Sequence, residues 1–414
     1  NLVETITQNN EENEKDIACF EIFESEPKYN EVLEYIKNDE NLKKETLEML
    51  YGNELVTSVS KLELFKKCPF SYFLKYSLNI NKSEEYEITS LDTGTFMHDV
   101  LEKFSKYLFK NNIPYYTVID VEKESIKEEY LDLLYKVIEE ELDRVLKKHK
   151  ENIKFAILKQ KLVNTMKNVI YIIAKSFKDS DFEPFGYEIE FKDNTMFLPI
   201  EIKVNDEYKM KLIGKIDRVD VLKTDDTTYV RVVDYKSSGR TLNLDEVKEG
   251  ISLQLVSYLT AFLENLEQNN KKINEDEKEK SVIPAACVYF NLSDRLINLS
   301  EYRDSDDKIK EEIIKNLRLK GLFLKDVDIL EKMDKNLDDK TSRIIDVSKS
   351  SLSRGSKKVL EKDEFLNLSL EIKDVLKEIG DEILKGTVRI KPNKKCDFCK
   401  YCDYMSICRK SSKV

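Results

Sequence analysis

KLIGKIDRVDVLKTDDTTYVRVVDYK, residues 211–236, has the pattern of a β-hairpin. Two runs rich in β-branched residues, 213–222 and 229–233, flank a polar turn. With the turn centred between Asp225 and Asp226, opposed residues have numbers of constant sum. Asp220 then faces Arg231, Val219 faces Val232 and Val221 faces Val230. On the face of the valines, Asp217 meets Asp234, and Lys236 follows about 7 Å along the strand. A wider or bulged turn would instead leave the aspartates at solvated strand ends, because loop geometry sets the register.

Two carboxylates opposed on an apolar face repel each other and lose hydration. A divalent cation removes both costs, since hard cations such as magnesium take carboxylate oxygens. An acidic pair with a nearby lysine is a set suited to metal-assisted hydrolysis, in which the amine orients water or steadies negative charge.

The totals set the frame. A chain of 414 residues, 41% hydrophobic and 36% charged, is long enough for two or three domains and can bury a large core. No apolar run reaches the roughly 18 residues of a membrane span, and no signal peptide opens the sequence, so no membrane partner is expected. The net charge of −11 argues against binding nucleic acid by charge alone; a local basic groove or a partner would have to deliver it. Seven cysteines, odd in number and unevenly placed, do not form a secreted disulfide framework and point to a reducing, cytoplasmic setting. Asn1 in place of methionine marks a fragment or processed product, and residues 1–56, polar and mixed, read as the trailing segment of a preceding region. Within them, residues 17–23 suggest a short strand and residues 29–51 one or two helices.

Beyond residue 56, Ser60 and Glu63 have the spacing of a capping box ahead of a short helix, followed by the aromatic-rich stretch from Cys68. Residues 91–102 start a helix that carries His98; a lone helical histidine is more often structural than functional. The other histidine, His149, lies in a solvated lysine run. Residues 120–178 have the spacing of two long helices with a break near Glu151; Lys159, Lys161 and Lys167 on them are solvated or face DNA. Residues 182–191 and 196–204 are strands, and period two puts Glu188 and Glu190 on one face. Residues 244–267 are expected as one helix with Gln254 and Tyr258 a turn apart, on spacing alone a surface pair. A charged loop over 268–280, a strand over 282–292 with Cys287 buried in it, a helix near 308–319 and a final helix over 361–384 follow.

The tail packs Cys396, Cys399, Cys402 and Cys408 into thirteen positions, a density that indicates metal. A local four-cysteine zinc knot suffices; the alternative takes Cys399, Cys402 and Cys408 with the distant Cys68. Spacing does not separate zinc from an iron–sulfur cluster.

Taken in order, Gly94-Thr-Phe-Met-His98, Gly214-Lys-Ile-Asp217-Arg-Val-Asp220, Asp234-Tyr-Lys236 and Gln254-Leu-Val-Ser-Tyr258 resemble the RecB-type branch of the PD-(D/E)XK nucleases. Cys68-Pro-Phe upstream with the Cys399-x2-Cys402-x5-Cys408 tail is similar to the iron-stapled nuclease domain of AddB/RexB-type helicase–nuclease subunits, over about residues 57–409. The resemblance implies an α/β fold, restriction-endonuclease-like, with a mixed central sheet flanked by helices and a helical insertion. It implies residues 57–414 as the nuclease domain and 1–56 as the end of a helicase-like region. It implies Mg2+ on His98, Asp217 and Asp234, with Lys236 handling the water and Gln254 and Tyr258 positioning the strand. Glu188 matches a recurrent glutamate. A [4Fe–4S] cluster on Cys68, Cys399, Cys402 and Cys408 would join the domain ends in a structural role, with Cys396 spare. The implied activity is exonucleolytic hydrolysis of DNA, on the 5′-ended strand, in a bacterial cytoplasm beside an AddA/RexA-type partner. No Gly-x4-Gly-Lys-[Ser/Thr] loop is present, so ATP hydrolysis belongs elsewhere. A standalone exonuclease of the CRISPR-adaptation type shares fold and staple, and a non-catalytic DNA-binding scaffold is the other alternative; scaffolds usually lose the lysine or a carboxylate that this chain keeps.

Overall fold

The hairpin adopts the expected register. Arg218 pairs Val233, Val219 pairs Val232 and Asp220 pairs Arg231, each pair of numbers summing to 451. The turn is tight: Thr224 N–H donates to the Thr227 carbonyl at 2.8 Å, and the Thr224 hydroxyl accepts from Thr227 N–H at 3.1 Å. The computed structural model describes residues 41–81, 90–145, 153–237, 239–273, 281–292, 314–353, 355–395 and 397–408. The expected strand at 17–23, Cys19, His149 and Cys396 lie outside them, as do parts of the helices expected over 29–51 and 308–319.

The described strands are β1 (Glu54–Thr57), β2 (Ile119–Asp120), β3 (Ser125–Ile126), β4 (Glu183–Phe191), β5 (Ile200–Lys203), β6 (Lys209–Leu212), β7 (Gly214–Lys223), β8 (Thr227–Lys236), β9 (Ser281–Asn291), β10 (Leu319–Leu324) and β11 (Val359–Leu360). A six-stranded mixed sheet runs β11-β10-β9-β8-β7-β4, with β8 and β9 parallel and β4, β7 and β8 antiparallel. Parallel neighbours need a crossover, which is supplied by the helix Gln254–Ile273. A smaller sheet, β1-β6-β5, brings the segment before residue 57 against the strand that leads into the hairpin.

Both faces of the hairpin are buried. Val219, Val230 and Val232 lie within the main core on one face. On the other, Arg231 Nε donates to Asp220 Oδ2 at 2.9 Å and Arg218 Nε lies 3.2 Å from Asp220 Oδ1, with all three residues buried. The two guanidinium groups are also placed over rings, Arg231 on Phe182 and Arg218 on Phe177, which offsets part of the cost of burying charge.

The helices used below are α1 (Val59–Lys67), α2 (Ser90–Lys110), α3 (Glu128–Val145), α4 (Ile153–Lys178), α5 (Gln254–Ile273) and α6 (Lys362–Leu384). The two long helices expected between 120 and 178 are α3 and α4; on them Lys159 is ion-paired with Glu139, and Lys167 lies over the Tyr135 ring. α6 opens on a capping box between Glu361 and Glu364.

Two local expectations fail. Residues 244–267 do not make one helix: a short turn at Leu244–Lys248 ends at Gly250, which takes φ +77°, and α5 restarts at Gln254 and runs to Ile273, into the stretch expected as loop. A left-handed residue ends a helix, and glycine takes that conformation without a Cβ penalty. Nor is Ser60–Glu63 a capping box. Ser58 is the cap residue of α1 and makes no side-chain cap bond, while Glu63 turns inward to a partner 190 residues away.

Candidate active centre and cysteine cleft

The open end of the hairpin gathers the acidic residues. Beyond the Arg218–Val233 pair the ladder gives way to side-chain bonding, and Asp217 Oδ2 accepts from Tyr235 N–H at 2.6 Å. Asp217 and Asp234 are both buried. Burial, then the charge of Asp234, pushes the Asp217 carboxyl well above the usual range. His98 comes in from α2, its Nδ1 3.6 Å from Asp217 Oδ2 and its ring edge-on to Tyr235. Burial holds the imidazole below its ordinary pKa, with Asp234 opposing. Gly94, one turn before His98, permits this approach: a Cβ there would stand 2.8 Å from Ser237 Oγ, just past the end of β8.

Lys236 Nζ lies 2.5 Å from Asp234 Oδ2, off hydrogen-bonding angle, and donates to Gln254 Oε1 at 3.0 Å. Gln254 is therefore in the first turn of α5 and bonded to the lysine. Tyr258 is buried one turn on, its ring so close to Gly214 that a Cβ there would stand 2.8 Å from Cε1. Its place is against the start of β7.

A third acid stands here. Period two expects Glu188 and Glu190 side by side, but Glu188 takes φ +55°, β4 is irregular between Pro184 and Gly186, and the two glutamates diverge. Glu190 is exposed and ion-paired with Lys192, whereas the Glu188 side chain is only 5% exposed and paired with Lys215. The pairs Tyr187–Arg218 and Ile189–Ile216 put Glu188 across from Asp217. Burial and the Asp217 charge push its carboxyl up to about 7. A single sequence gives no sign of the positive φ that turns it inward.

Among the described residues no three His, Cys, Asp or Glu side chains form a ready-made metal group. Lysines sit in that space: Lys215 on Glu188 and Lys236 on Asp234. The donor chemistry nonetheless fits a divalent cation. Three carboxylates and an imidazole stand on neighbouring elements, and burial with the charge of a neighbouring acid raises the pKa of Asp217 and of Glu188.

The second cluster lies at the chain's far ends. Cys68, directly after α1, lines one enclosed cleft with Cys399, Cys402 and Cys408, and all four thiols are free. Burial pushes the Cys68 and Cys402 thiols up, and neighbouring thiols add to it. Four cysteines lining one cleft supply the donor type of a thiolate-bound metal centre, although among the described residues they do not form a ready-made group; a bound metal's positive charge would reverse that shift. Cys68 belongs to a small apolar cluster separate from the main core, with Leu42, Leu47, Phe73, Leu74 and Val388, and Phe70 and Tyr404 of that cluster also line the cleft.

The sequence profile described as the PD-(D/E)XK nuclease superfamily matches residues 56–409. Curated relatives share one name, which makes each of them a subunit of an ATP-dependent helicase/deoxyribonuclease. The protein of Clostridium acetobutylicum is 34% identical over 92% of this chain and 31% of its own length. That of Clostridioides difficile is 33% identical over 92% and 32%, and that of Acetivibrio thermocellus 33% over 88% and 31%. The chain thus spans about a third of the length of the curated relatives it matches. Among the described residues no helix is long and apolar enough to cross a membrane.

Proposed function

The chain belongs to the PD-(D/E)XK nuclease superfamily, and from that premise we propose that it is a divalent-metal-dependent deoxyribonuclease, the nuclease module of a helicase–nuclease. One observation carries the reading: two buried aspartates on adjacent strands with His98 and Lys236 against them. Burial together with the neighbouring Asp234 raises the Asp217 carboxyl, a cost of ionisation that a cation relieves.

His98, Asp217 and Asp234 would hold the metal, Mg2+ in this reading, with Glu188 beside them. When bound, the ion supplies Lewis-acid stabilisation of the charge that develops on the scissile phosphate. The protein's own groups do the rest. Lys236, oriented by Gln254, offers N–H donors to the attacking water or to the phosphate oxygens. Tyr258 fixes α5 against Gly214 and so keeps Gln254 in reach. Buried β7 and β8 hold the carboxylates rigidly.

The relatives' shared name supports DNA as substrate and a partner subunit, and the family resemblance supports a partner of the AddA/RexA type in a bacterial cytoplasm. It also supports residues 1–56 as the end of a helicase-like region. The family resemblance supports action on the 5′-ended strand. A [4Fe–4S] cluster on Cys68, Cys399, Cys402 and Cys408 would close the domain on itself; the shared cleft supports Cys68 as the fourth ligand.

The test is cleavage of end-labelled linear duplex DNA with and without Mg2+. Asp234→Ala and Lys236→Ala should each reduce metal-dependent cleavage by about 10³-fold with the fold preserved by circular dichroism. Undiminished cleavage by either variant would remove the site.

A further inference from the structure

Gln254, the first residue of α5, bonds Lys236 through its side chain, and the backbone N–H groups at that helix start donate to Glu63. Resting on the nuclease reading, we propose that Glu63 is a positioning residue for the reaction, fixing the first turn of α5 and through it the Gln254–Lys236 contact. Glu63 is buried on α1, 4% exposed, and its Oε1 accepts from both Leu253 N–H at 2.8 Å and Gln254 N–H at 3.0 Å. The first N–H groups of a helix have no partner within it, and the helix dipole favours an anion there. The capping group, 190 residues away in sequence, is therefore also a tertiary tie.

Independent contacts hold the same junction. Gly250, the left-handed residue that ends the preceding turn, faces α1 so closely that a Cβ would stand 2.9 Å from Lys66 Cγ. Lys66 Nζ is ion-paired at 2.7 Å with Glu382 of α6. Burial pushes the Glu63 carboxyl up, while Arg240 and Lys67 pull it back. α1 ends at Lys67, and Cys68 follows. One nine-residue helix thus carries a thiol of the cysteine cleft at its end and the cap of the Gln254 helix at its middle. The coupling runs Cys68, α1, Glu63, Gln254, Lys236, each step a covalent or hydrogen-bonded link.

The experiment compares Glu63→Ala and the near-isosteric Glu63→Gln in the full chain, alone and combined with Gln254→Ala. Cleavage rates are read with Mg2+, and amide hydrogen exchange over residues 253–257 without it. Glu63→Ala should lower kcat on the order of 10²-fold with KM nearly unchanged, since a small misplacement near the reacting groups costs that much. Glu63→Gln, which retains an acceptor oxygen, should recover most of the rate. Exchange at 253–257 should quicken in Glu63→Ala while that of β7 and β8 stays constant. Added to Gln254→Ala, the Glu63 change should cost nothing further, because both act on one contact. Multiplicative losses, or unaltered exchange at 253–257, would overturn the positioning role. Should Glu63→Ala not fold, Glu63→Asp, one methylene too short to accept from both N–H groups, takes its place alone and in the double variant, with the same outcomes expected. Should the wild-type chain not cleave DNA, the nuclease reading fails, and the exchange measurement still decides whether Glu63 sets the start of α5.

Discussion

The acidic centre and the cysteine cleft are both clusters of metal-type donors, but they are assembled in opposite ways. Asp217, Asp234 and Lys236 lie within twenty residues of one another on one hairpin, and the main core locks them. Cys68 and Cys399 are more than three hundred residues apart and meet only because two chain ends dock. That docking has its own ties: Asn393 N–H donates to the Lys67 carbonyl at 2.9 Å, Leu42 N–H to the Gly386 carbonyl at 3.0 Å, and the Tyr404 hydroxyl to the Ile80 carbonyl at 2.6 Å. The hairpin forces conflicting charges together and gains chemistry at a cost in stability. With the proposed cluster bound, the cleft would close a long loop and add stability. Substitutions in the two regions should therefore move stability in opposite directions.

The largest expected effect tests the first half. Asp217→Asn removes one of two buried like charges yet keeps an oxygen to accept from Tyr235 N–H. Metal-dependent cleavage should fall about 10³-fold, while the melting temperature in EDTA rises by about 1 °C, the shift for about 1 kcal/mol in a chain this size. A melting temperature that falls in EDTA would mean the aspartate pair is not in conflict.

The second half is broken or sharpened at Cys68. Protein purified without oxygen should be brown and contain iron, and Cys68→Ala should lose both. A cross-link over so long a loop contributes up to about 6 kcal/mol in the chain-entropy model, so melting should drop by as much as about 7 °C. Colourless, zinc-loaded protein would replace the cluster with zinc, and iron retained by Cys68→Ala would point to a ligand set confined to the tail. Cleavage at low temperature should suffer less than stability does, since the acids sit in the other core.

What is legible in the sequence follows the same division. The hairpin register can be computed from residue numbers, because period two and a short turn leave few alternatives, and Asp220–Arg231 comes with it. The helical spacing of residues 120–178 is equally plain, since apolar stripes declare themselves locally. Glu63 escapes such reading because Ser60-x-x-Glu63 satisfies a local rule, and nothing local reveals that the carboxylate bonds to residues 253 and 254. The break before Gln254 is hidden for a related reason: a lone glycine in a helical pattern is compatible with continuation, and the tertiary cap decides. Period two places Glu188 on the right strand but with the wrong neighbour, because a single positive φ undoes the rule.

Glu188 gives the smallest effect and the finest test of the conflict. Its carboxyl rises from an ordinary 4.5 to about 7 in the fold, through burial first and the charge of Asp217 second. The fold disfavours the ionised form, so the contribution of the protonated acid is complete below pH 4.5 and is lost as pH climbs through about 7. Glutamine cannot ionise and escapes that loss. Glu188→Gln should therefore melt with wild type at the acid end of the window and about 2–4 °C above it at pH 8, both without divalent metal. Its cleavage rate should fall about tenfold, less than for Asp217→Asn, because Glu188 stands beside the aspartate pair rather than in it. A stability gain that does not grow with pH would trace to repacking around residue 188, and would leave Asp217 and Asp234 as the whole of the charge conflict.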